Sequence, residues 1–160
     1  AEDDFKTPLI IALDQVTDPH NMGAVLRSGG AFGATGVLIT ERRSASVNAT
    51  VWKVSAGAVS RVPVARETNL VRSLRALKEA GCFVIGLDGG ADVSLRDVEL
   101  ANEPLVVVTG AEGKGLSRLV RETCDQIVSI PISSAVESLN AAVATGIALY
   151  EISQKRAAQS

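Results

Sequence analysis

Residues 105–113 read Leu-Val-Val-Val-Thr-Gly-Ala-Glu-Gly, an apolar run that gives way at once to a glycine-containing loop. Consecutive branched apolar residues predict a β-strand with both faces buried. Such strands are typical of a parallel sheet covered by helices on both sides, which binds its ligands at the carboxyl ends of the strands. This stretch therefore predicts both a fold class and the place of a site.

The rest of the chain repeats the alternation of apolar strands and amphipathic helices. Strands are predicted at 9–13, within 33–40, and at 62–65, 83–87, 105–109 and 127–132. Helices are predicted at 21–32, 44–60, 69–80, 116–124 and 138–155. The pattern predicts an α/β fold, with a mostly parallel sheet flanked by helices on both faces. Residues 1–7 are polar and read as residual linker, and 8–160 as one domain.

Composition favours a folded protein of the cytoplasm. Hydrophobic residues make up 46% of the 160 residues and charged residues 21%, which disfavours disorder. The apolar runs fall far short of the roughly 20 residues that cross a membrane, and no leader pattern is present. Cys82 and Cys124 are too few and too far apart for a disulfide framework or a zinc site, so buried thiols in a reducing cytosol are predicted. His20 is the only histidine, and we expect no metal.

Basic residues are concentrated in one part of the chain. The net charge is −2, yet eight Lys and Arg side chains lie between Arg42 and Lys78, against Glu67 alone. This excess would suit RNA phosphates, and a solvated surface would explain it equally well. Aromatic residues make up 3% of the chain, which disfavours a base-stacking platform. If the excess binds RNA, the candidate contacts are Arg42, Arg43, Lys53 and Arg61.

A polar segment, Asp-Pro-His-Asn-Met-Gly-Ala-Val-Leu-Arg-Ser at 18–28, follows the first predicted strand. Asn21 precedes the helical run, where a role as helix cap would explain it. Gly23 and Gly30 lie one turn before and after Arg27 on a helix. Each glycine costs about 1 kcal/mol of helix propensity relative to alanine. Close approach of a backbone or a ligand to the guanidinium would account for both.

Two later segments combine loop residues with polar side chains. The loop at 109–115 matches neither the dinucleotide nor the P-loop fingerprint, and Glu112 could cap the next helix or serve a site. Pro131 removes a hydrogen-bond donor near a strand end, which predicts a strand that stops at the rim of a pocket. Ser138 and Asn140 can cap the last helix, and as a pair they can also meet a ligand.

These three segments resemble, in sequence, order and spacing, the motifs of the SpoU (TrmH-like) branch of the SPOUT RNA methyltransferases. The stretches at 41–45, 52–58 and 84–89 look like the RlmB-like subfamily, which methylates a guanosine 2′-hydroxyl in large-subunit rRNA. The resemblance implies a C-terminal deep trefoil knot, a rare exception to unknotted topology. It also implies S-adenosylmethionine as cofactor, RNA as partner and a homodimer. Residues 8–160 would be the catalytic domain, without the N-terminal RNA-binding domain common in the subfamily.

The resemblance also assigns individual residues. Catalytic positions carry over to Asn21, Arg27, Glu112, Ser138 and Asn140. Cofactor contacts carry over to Leu87, Thr109, Gly110, Ile130, Pro131 and Leu139. Arg27 has been cast as the base in the family, but a guanidinium with a pKa above about 12 is better suited to hold a phosphate and stabilise alkoxide charge.

Other functions stay open on the sequence alone. A tRNA ribose methyltransferase of the same family would share the motifs that carry the chemistry. A nucleotide- or flavin-binding module would fit the strand and helix alternation, although the phosphate fingerprints are missing. A non-catalytic RNA-binding domain has only the basic stretch in its favour.

Overall fold

A computed structural model describes residues 7–40, 62–111, 113–133 and 139–159. The strands are β1 Leu9–Asp14, β2 Gly36–Thr40, β3 Val64–Glu67, β4 Phe83–Leu87, β5 Val93–Ser94, β6 Leu105–Gly110 and β7 Gln126–Ser129. The helices are α1 Pro19–Phe32, α2 Leu70–Glu79, α3 Arg118–Thr123 and α4 Ala141–Gln159, with one 3₁₀ turn at Leu95–Asp97.

The seven strands of the described residues belong to one sheet, in the order β3-β2-β1-β6-β4-β7-β5. Every neighbouring pair is parallel, which confirms the predicted parallel sheet. The carboxyl ends of the strands therefore share one edge, where Asp14 of β1 lies opposite Gly110 of β6. That edge is where the sequence predicts a site.

Helices cover both faces of this sheet, as predicted. On one face Met22 and Leu26 of α1 and Leu149 of α4 are fully buried together with Ile11 and Leu13 of β1. On the other face the core contains Leu70 and Leu74 of α2, Val120 of α3 and Val106 and Val108 of β6. Successive residues of a strand point to opposite faces, so one apolar strand supplies both cores.

The ends of two helices follow the local capping chemistry. The Asp18 carboxylate accepts a hydrogen bond from the His20 N–H at 2.8 Å, and Pro19 occupies the first helical position. The cap of α1 is therefore Asp18, and the prediction of a cap at Asn21 is wrong. Asn69 caps α2 as predicted, through a 3.1 Å bond from the Arg72 N–H. Gly81 follows that helix at φ +107°, a conformation that suits glycine.

Other predicted boundaries shift by a few residues. The last strand ends at Ser129 rather than 132, because β5 and β4 offer it no ladder partner beyond that point. Helices α3 and α4 start later than predicted, and β3 occupies 64–67 rather than 62–65. The short strand β5 and the 3₁₀ turn have no counterpart in the predicted pattern. The predicted helix at 44–60 lies outside the described residues.

Arg156 of α4 ties the end of the chain to the start of the sheet. Its guanidinium donates hydrogen bonds to the backbone carbonyls of Thr7, Pro8, Ala101 and Glu103, at 2.6 to 3.0 Å. Pro8 lies just before β1 and Glu103 shortly before β6, so the contact lies at the amino edge of the sheet.

None of the helices in the described ranges combines the length and apolar character needed to cross a membrane.

Both cysteines are free thiols, as predicted. Both side chains are half-buried, whereas buried thiols were predicted. Cys124 Sγ donates to the Val120 carbonyl at 3.3 Å. Burial, followed by the negative charge of Asp125, raises the pKa of Cys124 to about 12. Burial also raises the pKa of Cys82, which has no such carboxylate beside it. The two thiols should therefore differ in reactivity.

We expect Cys124 to react with iodoacetamide more slowly than Cys82 in the folded protein at pH 8. With a pKa of about 12, only about one Cys124 thiol in ten thousand is ionised at that pH. The rate should rise about tenfold for each pH unit, since the thiolate is the nucleophile. Peptide mass spectrometry measures both rates, and urea-unfolded protein is the control. Equal labelling of the two thiols in the folded state would contradict the expectation.

Candidate active site

A cavity of about 430 Å³ lies at the carboxyl edge of the sheet. Its walls come from four parts of the chain that converge there: the end of β4, the end of β6 with its loop, the loop after β7, and the start of α4. The lining residues are Leu87, Asp88, Gly89, Gly90, Thr109, Gly110, Ala111, Gly113, Lys114, Gly115, Ile130, Ile132, Ser133, Leu139, Ala141 and Ala144. Most of these have small or apolar side chains, so backbone groups provide much of the polar surface.

The residues predicted to contact a cofactor come together at this cavity, with one exception. Five of the six line it, although they are as far apart in sequence as Leu87 and Leu139. Pro131 is exposed and is not among the lining residues, although both of its neighbours are. Since β7 ends at Ser129, Pro131 lies in the following loop rather than at the end of the strand.

The loop after β6 folds back on the strand it leaves. Ala111 accepts hydrogen bonds through its carbonyl from the N–H groups of Lys114, at 3.2 Å, and Gly115, at 2.9 Å. A Cβ built on Gly110 would overlap the Gly115 carbonyl and lie 2.8 Å from the backbone nitrogen of Leu116. Gly115 itself has φ +67°. Glycine is thus required by space at position 110 and by backbone conformation at 115.

Asp14 anchors the far end of the same loop. It is the last residue of β1, only 4% exposed, and its Oδ2 accepts a 2.7 Å hydrogen bond from the Ser117 N–H. The bond joins residues 103 positions apart in the chain. This role was not predicted, and its one signal in the sequence is a carboxylate at the end of the apolar strand Leu9–Asp14.

A pair of threonines fixes α4 against β6 beside the cavity. The hydroxyls of Thr109 and Thr145 lie 2.7 Å apart, and Thr145 is fully buried. Thr145 donates to the Ala141 carbonyl at 2.8 Å, so Thr109 is the donor between the two hydroxyls. The first turns of α4, which carry the lining residues Ala141 and Ala144, are thereby held in place. The sequence predicted Thr109 but not its partner.

Among the described residues, two charged side chains line the cavity, Asp88 and Lys114. The Gly90 N–H donates to Asp88 Oδ1 at 2.9 Å, and Arg121 Nη1 pairs with Asp88 Oδ2. The Gly90 hydrogen bond is the main reason that the pKa of Asp88 lies below its usual value. Arg121 lowers it further, although partial burial acts in the opposite direction. Asp88 therefore stays ionised at neutral pH, and Lys114, which also lines the cavity, is exposed.

The predicted catalytic residues on α1 lie outside the lining of the cavity. Asn21 is half-buried in the first turns of the helix, and Arg27 is exposed. Within the described residues, no hydrogen bond or ion pair involves the Arg27 guanidinium. Helix α1 starts at the carboxyl edge after β1, so Asn21 stands on the same side of the sheet edge as the cavity.

The remaining predicted site residues divide into two groups. Asn140 caps α4, because its Oδ1 accepts from the N–H groups of Ala142, at 2.8 Å, and Val143, at 3.2 Å. The others lie outside the described residues: Glu112, Ser138, Arg42, Arg43, Lys53 and Arg61. Within the described ranges, no three His, Cys, Asp or Glu side chains are grouped closely enough to hold a metal ion.

A backbone-lined cavity at the carboxyl ends of a parallel sheet defines an α/β protein that binds a small organic cofactor or nucleotide. Residues 8–150 match the SpoU rRNA Methylase family. The chain is therefore a member of the SpoU family of methyltransferases, as its sequence motifs suggested.

Relatives and solved structures agree with this assignment. A Mycobacterium avium protein named as an uncharacterized tRNA/rRNA methyltransferase is 57% identical over 148 residues, which are 92% of this chain and 48% of the relative. The chain thus spans about half the length of this relative. The name of this relative does not distinguish tRNA from rRNA.

Two crystal structures share the fold closely. The SpoU methyltransferase AviRb from Streptomyces viridochromogenes, in complex with the cofactor AdoMet, has a TM-score of 0.87 and 30% identity, over 96% of this chain and 62% of that one. A structure described as an RNA 2′-O ribose methyltransferase has a TM-score of 0.84 and 26% identity, over 94% of this chain and 57% of that one. Methyltransferases of this family use S-adenosylmethionine, as expected from the motifs.

We expect Asp14→Ala to lower the free energy of unfolding by about 1–3 kcal/mol, because it leaves the Ser117 N–H without its partner. Asp14→Asn keeps an acceptor oxygen and should lose less. Hydrogen exchange should accelerate at Ser117 in Asp14→Ala. Asp125→Ala is the matched control, since its carboxylate accepts a 2.8 Å bond from the Val84 N–H, away from this loop. Unchanged exchange at Ser117 in Asp14→Ala would show that the bond does not hold the loop.

Proposed function

We propose that this chain transfers a methyl group from S-adenosylmethionine to a ribose 2′-hydroxyl of RNA, with a guanosine of large-subunit rRNA as the favoured target. The observation that carries the proposal is the backbone-lined cavity at the carboxyl edge, on a chain of the SpoU family. A tRNA ribose methyltransferase is the nearest alternative, since the relatives are named for both RNA classes. Two free thiols agree with a cytoplasmic enzyme.

The cavity fits S-adenosylmethionine in size and chemistry. Its 430 Å³ falls within the usual range of small-molecule sites. Leu87, Gly110, Ile130 and Leu139 supply the backbone groups proposed to contact the cofactor, beside Thr109. When bound, S-adenosylmethionine supplies the methyl group on a positively charged sulfur. Ionised Asp88 and Lys114 place one negative and one positive charge at the same cavity, which suits a ligand with both kinds of group.

The chemistry proposed for the chain is positioning and charge stabilisation. The ribose oxygen bonds to the methyl carbon as the carbon–sulfur bond breaks, and the hydroxyl proton leaves to a base or to water. Arg27 is proposed to hold a phosphate of the RNA and to stabilise negative charge on the ribose oxygen. Asn21, Glu112, Ser138 and Asn140 are proposed to orient the nucleotide in line with the methyl group. The candidate RNA contacts remain Arg42, Arg43, Lys53 and Arg61.

The family fold leads us to propose a trefoil knot in the C-terminal third of the chain. The loops after β4, β6 and β7 converge on one cavity, and α4 then crosses to pack on α1, an arrangement consistent with a knotted path. A crystal structure with cofactor bound would test the threading directly.

A homodimer is proposed on the exposed apolar side of α1 and α4. Val143, Ile147 and Tyr150 of α4 are 49%, 39% and 52% exposed, and the Tyr150 ring contacts Phe32 of α1 edge-to-face at 5.8 Å. An exposed apolar patch of this kind is typical of a protein interface. Light scattering after size exclusion would test it, and a monomer at micromolar concentration would argue against it.

Methylation with labelled cofactor tests the proposed activity. Total rRNA and total tRNA are offered separately, and the labelled nucleotide is mapped in whichever RNA accepts the methyl group. A 2′-O-methylguanosine in large-subunit rRNA is expected. Label only in tRNA would select the alternative substrate, and label on a base would overturn the ribose assignment.

Gly110→Ala is expected to abolish or weaken binding of S-adenosylhomocysteine by tenfold or more, about 1.4 kcal/mol. The added Cβ would force the Gly115 carbonyl away and move the cavity wall. Titration calorimetry measures the affinity. Gly36→Ala is the control, because its Cβ would lie no closer than 3.8 Å to any other group, at the opposite end of the sheet. Wild-type affinity in Gly110→Ala would remove this cavity as the cofactor site.

Arg27→Lys is expected to lower turnover by about a hundredfold while leaving S-adenosylhomocysteine affinity unchanged. A lysine keeps the positive charge but loses the planar fork that binds phosphate through two hydrogen bonds. Single-turnover methylation at saturating RNA measures the effect, with Arg96→Lys as a control beside β5, at the opposite edge of the sheet. Near-wild-type turnover in Arg27→Lys would contradict the role proposed for this side chain.

A further inference from the structure

Three arginines on β3 and on the helix that follows it are exposed. Arg66 is in β3, and Arg72 and Arg75 are one turn apart on α2. No guanidinium of the three forms a hydrogen bond or ion pair within the part of the chain that the structure describes. Lys78, on the same helix, differs: it pairs with Asp125 at 3.2 Å and donates to the Thr123 carbonyl at 2.9 Å.

Arg66 lies in the same cross-strand row as the cofactor cavity. It is opposite Ile39, which is opposite Leu13, which in turn is opposite Thr109 in the cavity lining. Three strand spacings separate the ends of this row, so the Cα atoms of Arg66 and Thr109 are about 15 Å apart. Ile39 and Leu13 belong to the core under α1, which places Arg66 on the sheet face that α1 covers.

Arg27 lies on the side of α1 that faces away from α4, toward the β3 edge of the sheet. Ala24, Ser28 and Phe32 of α1 face α4, which packs over β6. Arg27 is about 100° around the helix from Ser28, on the solvent side and away from α4. Because α4 packs over β6, the direction away from α4 runs across β1 and β2 to the edge strand β3. Arg27 and Arg66 therefore border one surface.

Arg72 and Arg75 lie beyond the edge strand, on α2, which packs on the face of the sheet opposite to α1. Strand β3 is an edge strand, and α2 begins just after it at the carboxyl edge. Both arginines line a cleft of about 600 Å³ between α2 and α3, together with Leu119, which is 51% exposed. The lining also contains Glu79, so two guanidinium groups stand there against one carboxylate. Guanidinium groups beside apolar surface suit a sugar–phosphate chain.

We propose that the RNA strand methylated at the carboxyl edge continues around β3, where Arg66, Arg72 and Arg75 contact its phosphates. The inference rests on the proposed function and adds the path of the substrate beyond the reacting nucleotide. The chain as a whole carries a net charge of −2, so attraction to RNA must come from local groups such as these. Arginine binds phosphate oxygens in pairs, and each contact displaces counterions from the RNA.

The test measures RNA affinity across a range of salt concentrations. The variants are Arg66→Gln, Arg72→Gln and Arg75→Gln, each alone and all combined, with Arg96→Gln as control. Arg96 is exposed beside β5, at the opposite edge of the sheet, and the carbonyl that it offers to Lys155 survives the substitution. A fluorescent rRNA fragment that the wild type methylates is the probe. S-adenosylhomocysteine affinity is measured in parallel.

We expect the combined variant to bind the fragment about tenfold or more weakly near 0.15 M salt, with the slope of log affinity against log salt reduced by about 2. Cofactor affinity should not change, and Arg96→Gln should match the wild type. If the combined variant also matches the wild type, or loses affinity with an unchanged salt slope, the phosphate contacts are overturned while the proposed function stands. If the wild type methylates no RNA at all, the proposed function itself fails.

Discussion

The close approach of the Gly115 carbonyl to Gly110 is the contact on which the candidate site depends. No side chain fits at position 110, because the returning loop occupies the space of a Cβ. The loop can return so tightly only because Gly115 adopts a positive φ, and Asp14 then holds its exit against the end of β1. The resulting wall presents backbone rather than side chains to the cavity. Recognition through backbone groups makes the site depend on the path of the chain more than on its polar residues.

Much of the fold could be predicted from apolar patterning. The strands Leu9–Asp14, Phe83–Leu87 and Leu105–Gly110 are buried apolar runs, and such runs identify themselves without tertiary information. Helix α2 was equally clear, because Asn69 and Gly81 mark its two ends by local chemistry. Strand β5 has only two residues and is defined by its pairing with β7, so no local sequence pattern predicts it.

The candidate site was predictable in part, for a related reason. Family motifs led to Leu87, Gly110 and Leu139, which the fold brings together at one cavity. The contacts that hold this cavity in shape join distant parts of the chain, such as Asp14 to Ser117 and Thr109 to Thr145. Such pairs depend on strand order and helix placement, and the spacing of residues in the sequence predicts neither of them. The predicted cap at Asn21 was wrong because Asp18 and Asn21 are equally good capping residues by type, and only the structure shows that the helix starts after Asp18.

The contact between Arg156 and the carbonyls of Thr7 and Pro8 has a consequence for any domain attached to this one. It holds the first described residues beside the last helix, at the amino edge of the sheet. The cavity lies at the other edge, about 20 Å away along the six residues of β1. A domain that precedes Thr7 would therefore be attached at the amino edge of the sheet, opposite to the edge that carries the cavity. To deliver RNA to it, the linker would have to pass around the sheet, or the domain would have to serve the site of a neighbouring subunit.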